Sequence, residues 1–419
     1  MSLPDPLPIH PFTHPVRGEI SLPGSKSITN RALLLAALSE GPVTLTNALF
    51  SRDTEIMSAA LNQLGIAVRV DARAKTMHVA GGGGKIPAPS ARIFVGNAGT
   101  AARFLTALVC LRPGGVYHFD GDEAMRRRPI GPLLEALESQ GAKATARSFP
   151  FTLETAGLAG GAVEIDAAES SQLLSALLLI APQARTPLSV KLKGKTVSQP
   201  FIAMTERMLQ QFAAGPATYA VESDASAASY FLALPLVAGG QINLPGYRTT
   251  DSLQGDVGFA AVLGQLGLSH VPGTDGWVAS GARPRGVTVD FNAFSDTFLT
   301  LAAIAPLLDG PTKITGIAHT RKQETDRVAG MARELSKLGQ EVIEEEDSLT
   351  ITPRPLQSGV VIETYHDHRF AMSFGILGCH NLHGDDRPWL SIKDPGCCAK
   401  TFPNFFELLE SLRQKSLGA

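Results

Sequence analysis

One plan recurs along this chain and limits the folds it can adopt: an amphipathic helix, a glycine where the helix ends, and then a strand. Two clear copies are LNQLGIAVRV (61–70) and LSKLGQEV (335–342). Glycine is common directly after a helix because it accepts the left-handed backbone conformation. The intervals between successive glycines are 76, 74, 52, 72 and 79 residues, which predicts six units of an α/β protein. The glycines concerned are Gly65, Gly141, Gly215, Gly267, Gly339 and Gly418.

The short third interval lies near the middle of the chain, where two sets of three units would meet. A length of 419 residues also exceeds what one ordinary core accommodates. The stretch VESDASAASYFLALPLVAGG (221–240) resembles a second beginning, with a polar turn, a helix of small residues and a further turn. With crossovers near Ser21 and Glu222, we predict one domain over 22–222 and a second domain from 1–21 and 223–419.

Composition and charge narrow the class of protein. The chain is 44% hydrophobic and 18% charged, with 37 basic and 39 acidic residues, so net charge does not favour binding to nucleic acid. The first residues resemble no secretory signal, and no apolar run reaches ~18 residues. The four cysteines are too sparse for a disulfide scaffold. We therefore expect a cytoplasmic protein that binds no nucleic acid, no membrane and no metal.

In the first half, side chains suited to binding anions recur where helices are predicted to begin. Helix N-termini add free N–H groups and a partial positive charge to such sites. Ordinary N-capping is the alternative explanation for the serines, and LPGSKSITNR (22–31) is not a Walker loop because it lacks the second glycine. The residues are Lys26, Ser27, Arg31, Asn97, Gly99, Ser170, Ser171 and Gln172.

The second half adds cations and carboxylates in four segments: FSDTFLTL, HTRKQETDR, TYHDHRFAM and DPGCCAKTFP. Arginine suits two-pronged recognition of phosphate and carboxylate, and carboxylates can transfer protons. The run His-Asp-His could bind a metal, but no further ligand motif completes a set, so we interpret it as an arginine site with structural histidines. The candidates, Asp296, Glu324, Arg327, Arg369 and Lys400, predict substrates rich in phosphate and carboxylate.

In this order, the segments resemble the 5-enolpyruvylshikimate-3-phosphate synthases, a family of enolpyruvyl transferases, over about residues 22 to 406. The most specific pieces are LPGSKSITNRALLLAAL, GNAGTAARF, RPIGPL, SSQLLSALLL, DASAASYFL, ETDR, DHRFAM and AKTFP. The resemblance implies an α/β fold of two similar domains. Each domain would contain three βαβαββ units in an inside-out α/β barrel, with helices inside, sheets outside and a ligand cleft between the domains.

The family reaction transfers the enolpyruvyl group of phosphoenolpyruvate to the 5-hydroxyl of shikimate 3-phosphate and releases phosphate. It passes through a tetrahedral intermediate and uses no metal or organic cofactor. The reaction is the sixth step of the shikimate pathway to chorismate and the aromatic amino acids. The resemblance also implies glyphosate as an inhibitor, and we expect the protein to be a monomer.

The family motifs imply a role for each matching residue. Asp296 would bind the shikimate hydroxyls and accept the 5-hydroxyl proton, Glu324 would protonate the methylene carbon, and Lys26 would assist catalysis. The implied contacts of shikimate 3-phosphate are Lys26, Ser27, Arg31, Ser170, Ser171, Gln172, Ser198, Asp296, His319 and Gln323. The implied contacts of phosphoenolpyruvate are Lys26, Asn97, Gly99, Gln172, Arg327, Arg369 and Lys400.

The chain departs from the family pattern at several site positions. Ala124 stands where the family often has an arginine for phosphoenolpyruvate, so Arg126 or Arg127 would have to compensate. The other departures are Gln323 for lysine, His319 for asparagine, Phe201 for tyrosine and Phe104 for proline. These changes leave the reaction class intact but put ligand affinity and the response to glyphosate in question.

Two alternatives remain open at this stage. One is the related enolpyruvyl transferase that acts on UDP-N-acetylglucosamine, a family that carries a catalytic cysteine in a loop. The cysteine in the corresponding half here is Cys110, within an apolar predicted helix. The other alternative is a non-catalytic anion-binding repeat protein, which would have no need for the acid–base pair Asp296 and Glu324.

Overall fold

A computed structural model describes residues 3–194, 198–281 and 284–418 of the chain. The chain alternates between helices and short strands throughout these ranges. The helices are α1 (Lys26–Leu38), α2 (Arg52–Gln63), α3 (Gly99–Val109), α4 (Glu123–Arg126), α5 (Gly131–Glu138), α6 (Ser171–Ile180), α7 (Gln199–Ala213), α8 (Ala225–Ala238), α9 (Phe259–Gln265), α10 (Phe298–Ile304), α11 (Arg327–Lys337), α12 (His368–Gly378) and α13 (Phe405–Leu417). The strands are β1 (Leu7–Pro8), β2 (Val16–Glu19), β3 (Val43–Thr46), β4 (Val68–Asp71), β5 (Thr76–Val79), β6 (Ser90–Phe94), β7 (Pro113–Asp120), β8 (Lys143–Ala144), β9 (Phe151–Ala156), β10 (Gly161–Asp166), β11 (Leu188–Lys193), β12 (Thr218–Ala220), β13 (Gly240–Asn243), β14 (Leu268–His270), β15 (Gly276–Ala279), β16 (Thr288–Asp290), β17 (Thr312–Thr315), β18 (Glu341–Glu344), β19 (Ser348–Thr352), β20 (Val360–Ile362) and β21 (Leu390–Ile392).

The chain divides into two compact units, one of Met1–Pro23 with Ser223–Ala419 and one of Gly24–Glu222. We refer to Gly24–Glu222 as the inserted unit and to the other as the split unit. The first boundary follows Pro23 and not, as expected from sequence, Ser21. Leu22 stays with the split unit because its side chain is buried in that unit's core, together with Ile20.

The sheets repeat one topology. In the inserted unit, the elements β6, α3, β7, α4, α5, β8 and β9 follow one another, and the strands form a sheet of order β6-β7-β9-β8. In the split unit, β16, α10, β17, α11, β18 and β19 form a sheet of order β16-β17-β19-β18. In each sheet the first two strands are parallel and the remaining pairs antiparallel, which is the βαβαββ plan.

Two further sheets follow the same order with strands from distant parts of the chain. β12, near the end of the inserted unit, pairs in parallel with β3 and completes the order β12-β3-β5-β4. β2 pairs in parallel with β13 and completes the order β14-β15-β13-β2 of the split unit. The third sheet of each unit is smaller: β10 pairs with β11, and β1, β21 and β20 form the other.

Helices form the interior of each unit and sheets form its outside. Every residue of α3 is buried, as is every residue of α12. Strands bury one face only: in β7 Tyr117 and Phe119 are buried and Val116 is exposed. No helix in the described part of the chain has the length and apolar character needed to cross a membrane.

The glycines that revealed the repeat mostly have the backbone conformation expected of helix ends. Five of them, at positions 65, 141, 215, 267 and 339, have φ between 66° and 103°. Gly418 differs, because it follows α13 with φ of −98°, a conformation open to any residue. The spacing therefore identified the repeat correctly, while Gly418 is not a left-handed cap.

Candidate active site

In the inserted unit, the predicted anion-binding residues lie at the start of α1. The Ser25 hydroxyl caps this helix by accepting from Ile28 N at 3.5 Å, which leaves Lys26 and Ser27 in the first turn. The Lys26 ammonium lies 3.7 Å from the buried carboxylate of Asp53, at the start of α2. The first turn thus combines a half-buried cation with helix N–H groups, as anion binding requires.

Arg31, one turn further along α1, is buried among neutral groups. Its Nε donates to Thr205 Oγ1 at 2.8 Å, and its Nη2 donates to Ser175 Oγ at 3.1 Å. Its guanidinium also faces the rings of Phe104 and Phe201, at 5.2 and 5.9 Å from their centroids. Burial lowers the pKa of Arg31, because desolvation disfavours the charged form.

The predicted serine cluster lies at the start of α6. Ser170 caps the helix and accepts from Gln172 N at 3.3 Å, so the capping explanation is correct for this hydroxyl. Ser171 is buried, and the buried Gln172 Oε1 accepts no hydrogen bond from the described residues. Ser198 precedes α7 with φ of 53°, a left-handed conformation that is uncommon outside glycine. The Gln172 oxygen is therefore suited to accept a hydrogen bond from a polar ligand.

The segment around Asn97 and Gly99 is held by an arginine. Arg128 Nη1 donates to Asn97 Oδ1 at 3.2 Å, and a Cβ added to Gly99 would lie 2.4 Å from Arg128 Nη2. Only glycine therefore permits this close approach of guanidinium to backbone.

The two arginines considered as substitutes for a residue at Ala124 both have carboxylate partners. Arg126 Nη2 pairs with Asp120 Oδ2 at 2.7 Å. Arg127 Nη1 pairs with Glu123 Oε1 at 3.0 Å. Both arginine side chains are half or more exposed, so each belongs to a surface ion pair.

In the split unit, Arg327 is the centre of a buried cluster of opposite charges. Its Nε donates to Asp367 Oδ2 at 2.7 Å, Nη2 to Glu324 Oε2 at 2.9 Å, and Nη1 to Asp296 Oδ1 at 3.1 Å. Its Nη1 also donates to Gln323 Oε1. Although burial lowers the pKa of Arg327, the charges of Asp367 and Glu324 raise it above its ordinary value. The guanidinium is therefore firmly charged.

Two further cations join the same cluster. Lys400 Nζ lies 2.9 Å from Glu324 Oε1, so Glu324 bridges Lys400 and Arg327. Arg369 Nη2 lies 2.5 Å from Asp296 Oδ2, so Asp296 bridges Arg369 and Arg327. Each of the two predicted acid–base carboxylates thus contacts two of the three cations.

His319 and Gln323 lie at the edge of this cluster. His319 Nε2 and Ser295 Oγ form a hydrogen bond of 2.8 Å. Burial lowers the pKa of His319, although the charge of Asp296 opposes that shift, so the ring is neutral at pH 7. A neutral imidazole and an amide therefore stand where the family more often has asparagine and lysine.

The structure brings the split-unit candidates Asp296, Gln323, Glu324, Arg327, Arg369 and Lys400 into one hydrogen-bonded network. Sequence reasoning did not single out several of the residues that hold these groups. Asp367 stood in the His-Asp-His run and Asp53 at a helix start, both usual N-terminal positions for aspartate. Ser175 and Thr205 gave no signal, because they occur in apolar helices. The unassigned residues are Asp53, Ser175, Thr205, Tyr230 and Asp367.

The surroundings of Cys110 and of the His-Asp-His run bear on two alternatives, a catalytic cysteine and a metal site. Cys110 is buried at the end of α3, and burial raises the pKa of its thiol, which opposes a nucleophilic role. His368 is buried, whereas His366 is exposed and pairs with Asp394. Among the described residues, no group of three or more His, Cys, Asp or Glu side chains is arranged to hold a metal.

Comparison with known proteins gives consistent results. A family model described as EPSP synthase (3-phosphoshikimate 1-carboxyvinyltransferase) matches residues 12–409. The 3-phosphoshikimate 1-carboxyvinyltransferase of Opitutus terrae is 54% identical, with 100% of both chains covered. The enzyme of the same name from Trichormus variabilis is 40% identical over 96% of this chain and 98% of its own.

Solved structures show the same fold. An EPSP synthase from Acinetobacter baumannii superimposes with a TM-score of 0.76 at 24% identity, covering 97% of each chain. The enolpyruvyl transferase NikO from Streptomyces tendae superimposes with a TM-score of 0.73 at 16% identity, covering 96% of each chain. At these identities the likeness concerns the fold, which confirms the two-domain inside-out α/β architecture expected from sequence.

Proposed function

Because the chain belongs to the EPSP synthase family, we propose that it is a 3-phosphoshikimate 1-carboxyvinyltransferase. It transfers the enolpyruvyl group of phosphoenolpyruvate to the 5-hydroxyl of shikimate 3-phosphate and releases phosphate. The observation that carries this proposal is the buried cluster in which Glu324 bridges Arg327 and Lys400. The cluster thus places a carboxyl group that can transfer a proton beside two cations that can bind an anionic enol phosphate.

The residues of each unit would serve a different part of the substrate pair. The residues of the inserted unit bind shikimate 3-phosphate. The hydroxyls of Ser170 and Ser171 donate to the phosphate of this substrate, and Arg31 supplies a positive charge. Lys26 serves both substrates. Arg327, Arg369 and Lys400 of the split unit bind the phosphate and carboxylate of phosphoenolpyruvate, since arginine recognises both groups in two-pronged fashion.

Glu324 then acts as the general acid. Without substrate, Glu324 pairs with Arg327 and Lys400. Anionic phosphoenolpyruvate takes over these two cations, and the carboxyl takes up a proton. It delivers this proton to the methylene carbon, which gives positive character to the adjacent carbon.

Asp296 acts as the general base. It accepts the proton of the 5-hydroxyl as the oxygen attacks the activated carbon, forming the tetrahedral intermediate. Glu324 then removes a proton from the methyl group, the carbon–carbon double bond re-forms, and the bond to phosphate breaks. The proton held by Asp296 passes to the departing phosphate, and the cations stabilise the charge that develops on it. Glyphosate, an anion similar to phosphoenolpyruvate, is expected to compete for the same cations. Monomeric state and cytoplasmic location stay predictions.

Phosphate release by the purified protein tests the proposal. Release should require both shikimate 3-phosphate and phosphoenolpyruvate, and UDP-N-acetylglucosamine should not replace shikimate 3-phosphate. Absence of release with both substrates would reject the proposed activity, and release with the nucleotide sugar would favour the related transferase. The buried position of Cys110 already opposes that second activity.

The acid is tested by Glu324→Gln, which keeps the shape of the side chain. Removal of an acid–base group should lower kcat by about 100-fold or more, with a much smaller change in substrate affinity. Glu344→Gln is a matched control, because Glu344 pairs with Arg321 away from the cluster. Near-normal turnover of Glu324→Gln would show that another group protonates the substrate.

A further inference from the structure

Asp367 is a buried carboxylate to which the proposed mechanism gives no task. It is fully buried and caps α12, where it accepts from Arg369 N at 2.9 Å. The same carboxylate accepts from Arg327 Nε at 2.7 Å and from Arg327 Nη2 at 3.4 Å. One side chain therefore contacts both arginines assigned to phosphoenolpyruvate.

The way Asp367 contacts Arg327 determines which edge of the guanidinium remains for other partners. Nε and Nη2 form one edge of the planar group, and Asp367 occupies that edge. Nη1 and the second edge then face Asp296 and Glu324. Those two carboxylates have chemical tasks in the proposed mechanism. Asp367 contacts the two arginines and also lies 3.5 Å from Nδ1 of the buried His368.

Asp367 also places Arg369. By accepting from the Arg369 backbone, it sets the first turn of α12, from which the Arg369 side chain extends to Asp296 Oδ2 at 2.5 Å and Tyr230 Oη at 3.4 Å. The two guanidinium groups are therefore positioned from one anchor, although they arise from different helices, α11 and α12.

The two residues directly before Asp367 have an unfavourable backbone conformation. Tyr365 and His366 both have left-handed backbone, with φ of 55° and 56°. This conformation is unfavourable for residues other than glycine and persists only where the surroundings hold it. Here Tyr365 Oη donates to Glu334 Oε1 at 2.6 Å, and His366 Nδ1 pairs with Asp394 Oδ2 at 2.7 Å.

We propose that Asp367 is a positioning residue that orients Arg327 and Arg369 toward the phosphate and carboxylate of phosphoenolpyruvate without touching the substrate. This inference rests on the proposed function for the identity of the anion. Because Asp367 acts through the arginines, its loss should weaken phosphoenolpyruvate binding while leaving shikimate 3-phosphate binding nearly unchanged.

The variant Asp367→Asn isolates the charge, because asparagine caps helices as well as aspartate does. The KM for phosphoenolpyruvate should rise by about 30-fold, the effect of losing charge-assisted hydrogen bonds that hold an arginine. The KM for shikimate 3-phosphate should change by less than about 3-fold. Asp326→Asn is the matched control, since Asp326 caps α11 and pairs with Arg321 at 3.0 Å.

A double-mutant cycle with Arg327→Lys distinguishes positioning from a general structural role. Lysine keeps the charge but has no Nε edge, so Asp367→Asn should add less than about 3-fold to the KM of the Arg327→Lys enzyme. Equal changes in both KM values, an unchanged KM for phosphoenolpyruvate, or additive effects in the cycle would each overturn the inference.

Thermal stabilisation by phosphoenolpyruvate provides a readout that needs no turnover. The ligand should raise the Tm of the wild-type protein and of Asp326→Asn, but should raise that of Asp367→Asn much less at the same concentration. If the wild-type protein releases no phosphate yet shows this pattern, the proposed function fails and the positioning role stands. If the protein is active but the two variants respond alike, the positioning role fails alone.

Discussion

Arg31 of the inserted unit and Arg327 of the split unit are equally buried, with 2% and 1% of each residue exposed, but their surroundings differ. Arg31 donates to hydroxyls and main-chain carbonyls and faces two phenylalanine rings. Within the described residues, no carboxylate pairs with it. Arg327 contacts three carboxylates. Accordingly, burial lowers the pKa of Arg31, whereas the carboxylates raise that of Arg327 despite its burial.

The difference indicates two ways of preparing a cation for an anionic substrate. A buried cation without a counter-ion raises the free energy of the empty protein, and an arriving anion relieves that penalty. A buried cation with counter-ions is stable in the empty protein, and an arriving anion must compete with carboxylates already present. Arg31 should therefore matter for binding, and Arg327 for both stability and binding.

The largest effect is expected from Arg327→Met. Removal of this guanidinium leaves Asp296, Glu324 and Asp367 with too little positive charge, and breaking a buried ion cluster in this way costs about 3–5 kcal/mol. The free energy of unfolding, measured by urea denaturation at pH 7, should fall by that amount. Arg333→Met on the exposed face of α11 is the control and should change it by less than about 1 kcal/mol.

Arg31→Met should instead leave the fold nearly as stable as before. Replacing a buried charge that has no counter-ion by an apolar side chain of similar length is often neutral. The Thr205 hydroxyl already donates to Ser175 Oγ at 3.1 Å, so this pair stays bonded without Arg31. Affinity for shikimate 3-phosphate, measured by calorimetry, should fall by about 100-fold. A loss of stability equal to that of Arg327→Met would contradict the comparison.

The contrast also shows what a sequence can and cannot predict. The helix–glycine–strand repeat depends on local conformation, so its spacing predicted the α/β units. Glu324 and Arg327 are three residues apart, so the sequence alone indicates that their side chains can meet. The partners of Arg31 could not be found this way. Thr205 lies 174 residues from Arg31, and threonine within an apolar helix resembles any core residue.

Strand pairing has the same limitation. Sequence indicated crossovers between the domains, but not that β12 would pair with β3 or β2 with β13, because the hydrophobic pattern of a three- or four-residue strand is too short to specify its neighbour. Asp367 occupies an intermediate position. Its capping role follows from local sequence, whereas its contact with Arg327 depends on how α11 and α12 pack.

Asp256 extends the comparison to a carboxylate near the Arg327 cluster. It accepts a hydrogen bond from Ser226, and burial, together with the charge of Asp296, raises its pKa to about 7. The pKa of Asp256 is higher in the folded protein than in the unfolded chain. Its contribution to the free energy of unfolding is therefore complete below about pH 4 and is lost as pH rises through about 7. Between pH 5 and pH 8 the loss should be about 3 kcal/mol.

The variant Asp256→Asn cannot ionise and still accepts from Ser226. The free energy of unfolding, measured at pH 5, 6, 7 and 8, should fall less with rising pH in this variant than in the wild-type protein. His319 changes stability in the other direction, because its lowered pKa removes stability as pH falls below about 6.5. The effect of His319 is the same in the wild-type protein and in Asp256→Asn. The difference between their pH profiles therefore reports the ionisation of Asp256 alone. Parallel profiles would mean that Asp256 is ionised throughout the range.

The smallest effect concerns the rings that face Arg31. Phe104 is fully buried, with its centroid 5.2 Å from the Arg31 guanidinium carbon, and a cation–π contact of this kind contributes about 0.5–1 kcal/mol. Phe104→Leu also loses packing, so the contact must be separated by a cycle with Arg31→Met. Phe104→Leu should lower the free energy of unfolding in both backgrounds, but less in the Arg31→Met protein than in the wild type. The difference between the two losses should be about 0.5–1 kcal/mol. Equal losses in the two backgrounds would show that the ring only fills space. The hydroxyls of Thr205 and Ser175 would then be the groups that accommodate the buried charge.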